Sequence, residues 1–126
     1  MAAEKILESL KQLQTQNKPI EACMVAKKGL EGVIMFPESF KKDAGPVWEP
    51  LSKTLNDTLS LVEKYCSYNL DKICVQVLGY GIAFYVLGSS DTALIVFVKK
   101  VDDTLKTLTN LQPEIEKTRQ KILQSL

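Results

Sequence analysis

Residues 72–98 read KICVQVLGYGIAFYVLGSSDTALIVFV and decide the fold class. Three short runs of β-branched and aromatic residues predict strands over Lys72–Leu78, Ile82–Leu87 and Thr92–Val98. The turns between them are Gly79-Tyr80-Gly81 and Gly88-Ser89-Ser90-Asp91. Because connections this short join antiparallel neighbours, the segment predicts a three-stranded meander.

A long helix is predicted upstream of the meander, from Pro46 or Val47 to about Tyr65. Its apolar positions recur at steps of three or four residues, which is the spacing of one helix face. They are Trp48, Leu51, Leu55, Leu59, Val62 and Cys66. The opposite face is polar and carries Lys53, Asn56, Asp57, Ser60 and Lys64. Directly before this helix, Phe40 to Gly45 is predicted to be a polar, lysine-bearing loop.

The N-terminal third predicts a helix followed by a β-hairpin. Ala2 to Gln16 places apolar residues at helical spacing with charged residues opposite, the pattern of an amphipathic helix. Two short β-compatible runs follow around a glycine-bearing connection, from Ile20 to Ala26 and from Gly32 to Phe36. Pro37 ends the second strand because proline cannot continue a central ladder.

The C-terminal segment predicts a further helix, capped by Asp102 or Asp103. Pro113 either kinks this helix or ends it, in which case a fresh helix runs from Pro113 to Leu126. The element order α-β-β-α-β-β-β-α then predicts an α+β fold, a five-stranded antiparallel sheet with helices on both faces. The length of 126 residues fits a single domain over residues 1–126.

The composition excludes several classes of function. The net charge is +1, so no basic surface for nucleic acid or anionic membrane is predicted. The longest apolar run, Ile82 to Leu87, is too short to span a bilayer, so no membrane insertion is expected. The three cysteines form no C-x-x-C pair and are expected to behave as small hydrophobes. Together with the lack of a secretory signal, they favour a reducing cytoplasm.

No catalytic, cofactor-binding or metal-binding residues are predicted. The chain has no histidine, which removes the commonest general base and metal ligand. Gly79-Tyr80-Gly81 joins two strands and does not open a helix, as a phosphate-binding glycine loop would. The adjacent Asp102 and Asp103 are better explained as a helix cap than as catalytic carboxylates. Three lysine pairs are solvated loop residues or a basic rim for a partner: Lys27-Lys28, Lys41-Lys42 and Lys99-Lys100.

Three stretches resemble the roadblock (dynein light-chain) domain family in order and pattern. They are the hairpin over Cys23–Val33, the strands over Val75–Ile82, and the turn and strand over Gly88–Val98. The resemblance covers nearly the whole chain, with two departures. Lys28 stands where an acidic residue is common in the family, and Pro113 interrupts a helix that the family tends to keep whole. Longin and profilin domains share much of this architecture but lack an equivalent helix before the hairpin.

The resemblance implies a non-catalytic adaptor without a cofactor. Roadblock domains pair as homodimers or with a second roadblock protein, joining their third strands into one sheet and laying their long central helices side by side. The pairs dock Ras-like small GTPases or multi-subunit regulatory complexes. Here the pairing elements would be Lys72 to Leu78 and Val47 to Tyr65. The expected interface residues are Trp48, Leu51, Leu55, Leu59, Val62, Ile73, Val75 and Val77. The expected partner-docking residues are Lys53, Asn56, Asp57, Ser60 and Lys64.

Alternatives remain open at two points. Trp48 either packs in the core or anchors an interface, because tryptophan is enriched at binding hot spots. The chain could also be a PAS-, GAF- or longin-like binding module without a GTPase partner. A small-molecule sensor of this kind needs a pocket with convergent polar groups, and the polar residues inside the strands are few, chiefly Gln76 and Thr92. A GTPase activator that inserts an arginine is disfavoured because Arg119 is the only arginine.

Overall fold

The computed structural model describes residues 2–30, 33–99 and 103–125. The helices are α1 (Ala2–Gln16), α2 (Phe40–Ala44), α3 (Trp48–Tyr65) and α4 (Thr104–Ser125), with short 3₁₀ turns at Gly45–Val47 and Cys66–Tyr68. The strands are β1 (Ile20–Lys27), β2 (Ile34–Phe36), β3 (Lys72–Val77), β4 (Tyr80–Val86) and β5 (Thr92–Lys99).

The five strands form one antiparallel sheet in the order β2-β1-β5-β4-β3, so β2 and β3 are its edges. Helices α1 and α4 pack on one face, where the core includes Leu10 and Ile115. Helices α2 and α3 pack on the other face, where the core includes Phe40 and Leu55. The predicted α+β fold, with helices on both faces of a five-stranded antiparallel sheet, is confirmed.

The loop predicted over Phe40 to Gly45 is wrong, because its first five residues form α2. Phe40 is buried against three other rings, and its ring centroid lies 6.2 Å from that of Trp48, 5.8 Å from Tyr80 and 4.8 Å from Phe97. Burying a side chain of this size stabilises a fold by about 1.5–3 kcal/mol. The burial of Phe40 therefore stabilises a short helix that the polar residues around it do not predict.

The turn predicted at Gly79-Tyr80-Gly81 is shorter and begins one residue earlier. Val77 pairs with Tyr80, which leaves only Leu78 and Gly79 in the turn, with φ of 54° and 84°. Two-residue turns with positive φ at both positions match the twist of the strands that they join. Tyr80 and Gly81 are therefore the first residues of β4, and Tyr80 is buried.

Helix α4 runs through Pro113 without a break, so the alternative of a fresh helix starting there is wrong. Leu111 and Ile115, on either side of the proline, are both buried in the core on the α4 face. Their burial offsets the hydrogen bond that proline removes from the helix interior.

The first turn of α4 has an aspartate at its predicted start. Asp103 Oδ1 accepts a hydrogen bond from the Lys106 N–H at 3.0 Å, as an N-cap side chain does. Some predicted features lie outside the described residues: the alternative cap Asp102, the strand start Gly32, the helix end Leu126 and Lys100 of the third lysine pair.

Gly81 lies where β4 passes close to the first turn of α4. A Cβ atom on Gly81 would lie 2.6 Å from Thr104 Cβ and 3.0 Å from Thr104 Oγ1. We expect Gly81→Ala to lower the free energy of unfolding by about 2–3 kcal/mol, the upper part of the usual cost of overpacking, as measured by urea denaturation. Gly79→Ala is the control, because nothing lies within 4 Å of its added Cβ. It should cost only about 1 kcal/mol, from its positive φ. A loss in Gly81→Ala no larger than the control's would contradict this account of the contact.

Candidate functional site

Edge strand β3 has three residues whose backbone groups face outward. In an antiparallel pair, alternate residues exchange hydrogen bonds with the neighbouring strand, and the residues between them direct N–H and C=O away from it. The two-residue turn makes Val77 and Tyr80 a hydrogen-bonded pair. At the other end of the strand, the Val86 N–H donates to the Asp71 carbonyl at 2.9 Å, so these two residues are also a hydrogen-bonded pair. Both ends of β3 therefore give the same alternation. The outward-facing residues are therefore Lys72, Cys74 and Gln76.

The side chains of β3 divide between the two faces of the sheet. Ile73, Val75 and Val77 are half-buried on the α3 face and pack against the core there. Gln76 is exposed on the α4 face, where its amide donates a hydrogen bond to the Thr104 hydroxyl. The structure thus places the three predicted interface residues of this strand at an accessible apolar edge.

The apolar stripe of α3 is buried in the protein's own core. Leu51, Leu55, Leu59 and Val62 are each 0% exposed. These side chains hold α3 against the sheet and offer no surface for direct contact with a partner. Hydrophobic periodicity identifies the buried face of a helix but not whether the chain itself or a partner buries it. Any pairing contact made by α3 must therefore come from other residues of the helix.

Trp48, also predicted as an interface residue, is half-buried at the start of α3. Its ring meets Phe40 edge to face, with the centroids 6.2 Å apart. Lys41 Nζ lies 5.5 Å from the centroid of the same ring, within the range of a cation–π contact. These contacts join α2 to α3, so core packing accounts for Trp48 directly.

Two opposite flanks of α3 border this buried stripe. One flank contacts the connection between β1 and β2: Asn56 Oδ1 accepts the Gly29 N–H at 2.7 Å, and Glu63 lies 3.7 Å from Lys28 Nζ. Because successive residues are about 100° apart around a helix, the other flank carries Leu61 and Tyr65. That flank is directed away from the β1–β2 hairpin and therefore away from the β2 edge of the sheet.

Exposed apolar side chains mark the second flank and the turn after it. Leu61 and Tyr65 are 46% and 42% exposed, and Tyr68 is 76% exposed. The Tyr65 and Tyr68 ring centroids lie 6.5 Å apart. These residues were missed by sequence reasoning, although an apolar pair four residues apart beside the main stripe is a signal that could have found them. We call Leu61, Tyr65, Ile73, Val75 and Val77 the β3–α3 surface.

Two of the predicted partner-docking residues make hydrogen bonds within the chain. Asn56 accepts the Gly29 N–H, and the Ser60 hydroxyl donates to the Asn56 carbonyl at 3.1 Å. The other three are exposed on α3: Lys53, Asp57 and Lys64. They present two positive charges and one negative charge, so this face has no strong electrostatic preference for a partner.

Among the described residues, no three cysteine, aspartate or glutamate side chains are arranged so that they could hold a metal ion. Cys23 is buried and donates its thiol hydrogen to the Leu10 carbonyl at 3.2 Å. Burial raises the pKa of Cys23 to about 12, so the thiol is neutral and unreactive. Burial also raises the pKa of Cys74 on β3, against the opposing influence of Lys72.

Arg119, the only arginine, is held in a network on the α4 face. Its side chain is 11% exposed, with Nη2 lying 2.7 Å from Asp71 and Nη1 2.7 Å from Glu116. Its Nε–H donates to the Val86 carbonyl at 3.0 Å. The guanidinium is therefore engaged by three partners of its own chain.

The strand order and the two helical layers define an α+β fold of the roadblock/longin-like class. A solved structure with this fold is the crystal structure of MglC from Myxococcus xanthus, to which the chain is similar with a TM-score of 0.62 over 100% of both chains, at 16% sequence identity. No family model matches the sequence, and neither does any curated protein. Within the described ranges, no helix has the length and apolar character needed to cross a membrane.

Proposed function

We propose that this chain is a non-catalytic, cytoplasmic adaptor of the roadblock type, with residues 1–126 acting as one domain. It pairs through β3 and α3 and docks a Ras-like small GTPase or a multi-subunit regulatory complex. The observation that carries the proposal is the open edge of β3, with exposed apolar side chains of α3 on the same face of the sheet. An edge with free backbone groups is a template for a further strand, and a two-fold contact would cover the same patch on both copies.

Pairing through β3 would make one continuous sheet from two chains. The strand Lys72–Val77 has its midpoint between Cys74 and Val75, so a two-fold axis near these residues pairs the strand over its full length. The same axis would bring the flanks carrying Leu61 and Tyr65 together beside the joined strands. Both halves of the β3–α3 surface are then covered by one contact.

Support for a GTPase partner comes from the family resemblance, and the likeness to MglC supports the fold on which that resemblance depends. The best-characterised route to GTPase activation inserts an arginine that stabilises charge on the transferred phosphoryl group. Arg119 is engaged by Asp71, Glu116 and the Val86 carbonyl. The network therefore favours docking over arginine-finger activation.

Light scattering of the purified chain between about 1 and 100 µM, the range of moderate affinities, tests the pairing. The expected mass is twice the 14.1 kDa of one chain. Adding Ras-like GTPases from the same cell, loaded with GDP or a non-hydrolysable GTP analogue, should give a heavier complex. A chain that stays monomeric, alone and with other roadblock proteins of that cell, contradicts the pairing. A pair that binds no GTPase in either nucleotide state contradicts the GTPase assignment alone.

A further inference from the structure

A groove runs between α1 and the other edge strand, β2. It consists of two adjoining cavities of about 440 Å³ each, which share Glu4, Leu7 and Glu38 in their walls. Volumes of this size are in the range of ligand-binding sites. Among residues 2–30, 33–99 and 103–125, no strand lies on the outer side of β2, so the groove follows an open sheet edge.

The pattern of backbone hydrogen bonds across the sheet identifies the residue of β2 whose N–H and C=O face this groove. The Leu87 N–H donates to the Thr92 carbonyl at 2.9 Å, which fixes the hydrogen-bonded pairs between β4 and β5. Because alternate residues of a strand bond to opposite neighbours, this pair also determines which residues of β5 bond to β1 and which residues of β1 bond to β2. The hydrogen-bonded partners of β1 are Ile34 and Phe36. Met35, between them, directs its N–H and C=O outward, where a further strand could exchange two hydrogen bonds with it.

The side chains around the groove combine an apolar floor with an acidic rim. Leu7, Ile34 and Phe36 are half-buried and form the floor on the α1 side. The rim carries three exposed carboxylates, and none of them makes a salt bridge within the described residues: Glu4, Glu8 and Glu38.

Two lysines also border the groove, and both leave its acidic character intact. Lys41 Nζ lies 5.5 Å from the Trp48 ring centroid, a contact that leaves its positive charge in place. With Lys41 and Lys11 set against the three carboxylates, the groove has a net charge of −1. Lys11 lines only one of the two cavities, beside Glu4, Glu8 and Glu38. In that cavity three carboxylates face one ammonium group.

We propose that this groove binds an extended segment of a partner protein that alternates apolar and basic residues and adds as a strand beside β2. One residue of the segment pairs with the backbone of Met35, and apolar side chains on one face cover Leu7 and Phe36. Lysine or arginine side chains reach the carboxylates of the rim. This is the strand-addition mode of peptide recognition, in which main-chain hydrogen bonds give affinity and side-chain pockets give specificity.

The rim charge favours this occupant over others. A second copy of the chain docking edge to edge through β2 would bring two acidic rims together, and nucleic acid would be repelled in the same way. The groove lies at the edge of the sheet opposite β3. A chain paired through β3 therefore keeps the groove accessible, and the proposal does not depend on that pairing.

Fluorescence anisotropy with labelled octapeptides tests the proposal on the intact chain. The probe alternates valine and lysine, and a second peptide alternates valine and glutamate. We expect the valine–lysine peptide to bind at least about tenfold more tightly than the valine–glutamate peptide, because the glutamates would face carboxylates of the same charge. Its binding should also shift the NMR signal of the Met35 amide. A third peptide, with an N-methyl group on its central backbone nitrogens, should lose most of the affinity because it cannot complete the strand.

Two matched variants separate the groove from general charge attraction. Glu4→Lys/Glu38→Lys reverses two exposed rim charges and should weaken binding of the valine–lysine peptide at least about tenfold. Glu49→Lys/Glu114→Lys makes the same change in net charge at exposed positions of α3 and α4 and should leave the affinity within about twofold of the starting protein. Equal weakening in both variants, equal binding of the valine–glutamate peptide, or shifts that spare Met35 would each overturn the proposal.

Discussion

Cys74→Pro is expected to separate the proposed dimer into folded monomers. Cys74 directs its backbone N–H out of the sheet, so proline at this position removes a donor that β4 does not use. In a two-fold pair the change occurs twice, which deletes two hydrogen bonds and places two proline rings in the contact. At about 1 kcal/mol for each hydrogen bond, with the steric obstruction in addition, the dissociation constant should rise at least about 100-fold. Sedimentation equilibrium of the two proteins measures this change.

Two further substitutions on β3 distinguish lost pairing from a damaged strand. Cys74→Ala keeps the outward N–H and should sediment like the starting protein. Ile73→Pro removes an N–H from the hydrogen-bonded pair with Phe84, so it should lower the free energy of unfolding of the monomer itself. Cys74→Pro should instead retain the circular dichroism spectrum of the folded chain. If Cys74→Pro pairs with an unchanged constant, the contact between chains lies at another surface.

Local patterns were enough to predict most of the elements. The helix over Ala2–Gln16 and the long helix ending at Tyr65 have the predicted type and nearly the predicted bounds, because each repeats an apolar face at helical spacing. Helix α2 was missed because Phe40 is held by rings distant in sequence. The turn after β3 was placed late because its left-handed residues are Leu78 and Gly79, and leucine gives no signal for that conformation.

The sequence indicated the β3 residues of the candidate site but not its exposed residues on α3. The alternation of Ile73, Val75 and Val77 marks one face of a strand, and that face lies at the sheet edge as expected. On α3 the most regular apolar stripe is buried in the core, and the exposed apolar pair is Leu61 and Tyr65. A single sequence shows which helix face is apolar, but the packing of the sheet beneath it decides which residues remain for a partner.

Arg119 is expected to contribute to the stability of the fold. It joins α4 to the segment before β3 through Asp71, to its own helix through Glu116, and to β4 through the Val86 carbonyl. Burial by itself would lower the pKa of Arg119, but the hydrogen bonds to Asp71 and Glu116 raise it above its ordinary value. The guanidinium therefore stays charged, and its loss would leave both carboxylates and a carbonyl without their partner.

Arg119→Met keeps most of the side-chain volume and removes these hydrogen bonds. We expect it to lower the free energy of unfolding by about 2–3 kcal/mol, in the range for hydrogen bonds to charged groups. The corresponding fall in Tm is roughly 10 °C, measured by calorimetry. Lys117→Met is the control: Lys117 is exposed and makes no salt bridge within the described residues, so the change should stay within about 0.5 kcal/mol. An effect of Arg119→Met no larger than this control would mean that the network contributes nothing to stability.

The same variant separates a structural arginine from a catalytic one. Below its unfolding temperature, Arg119→Met should leave the GTP hydrolysis rate of a bound Ras-like GTPase unchanged, because the guanidinium is engaged by Asp71 and Glu116 of its own chain. An inserted arginine contributes a factor of about 10³–10⁵ to that rate, so its removal would be unmistakable in a single-turnover assay. A loss of that size with the folded variant would assign catalysis to Arg119 and contradict the adaptor proposal. A lower Tm with an unchanged rate is the result that the network on α4 leads us to expect.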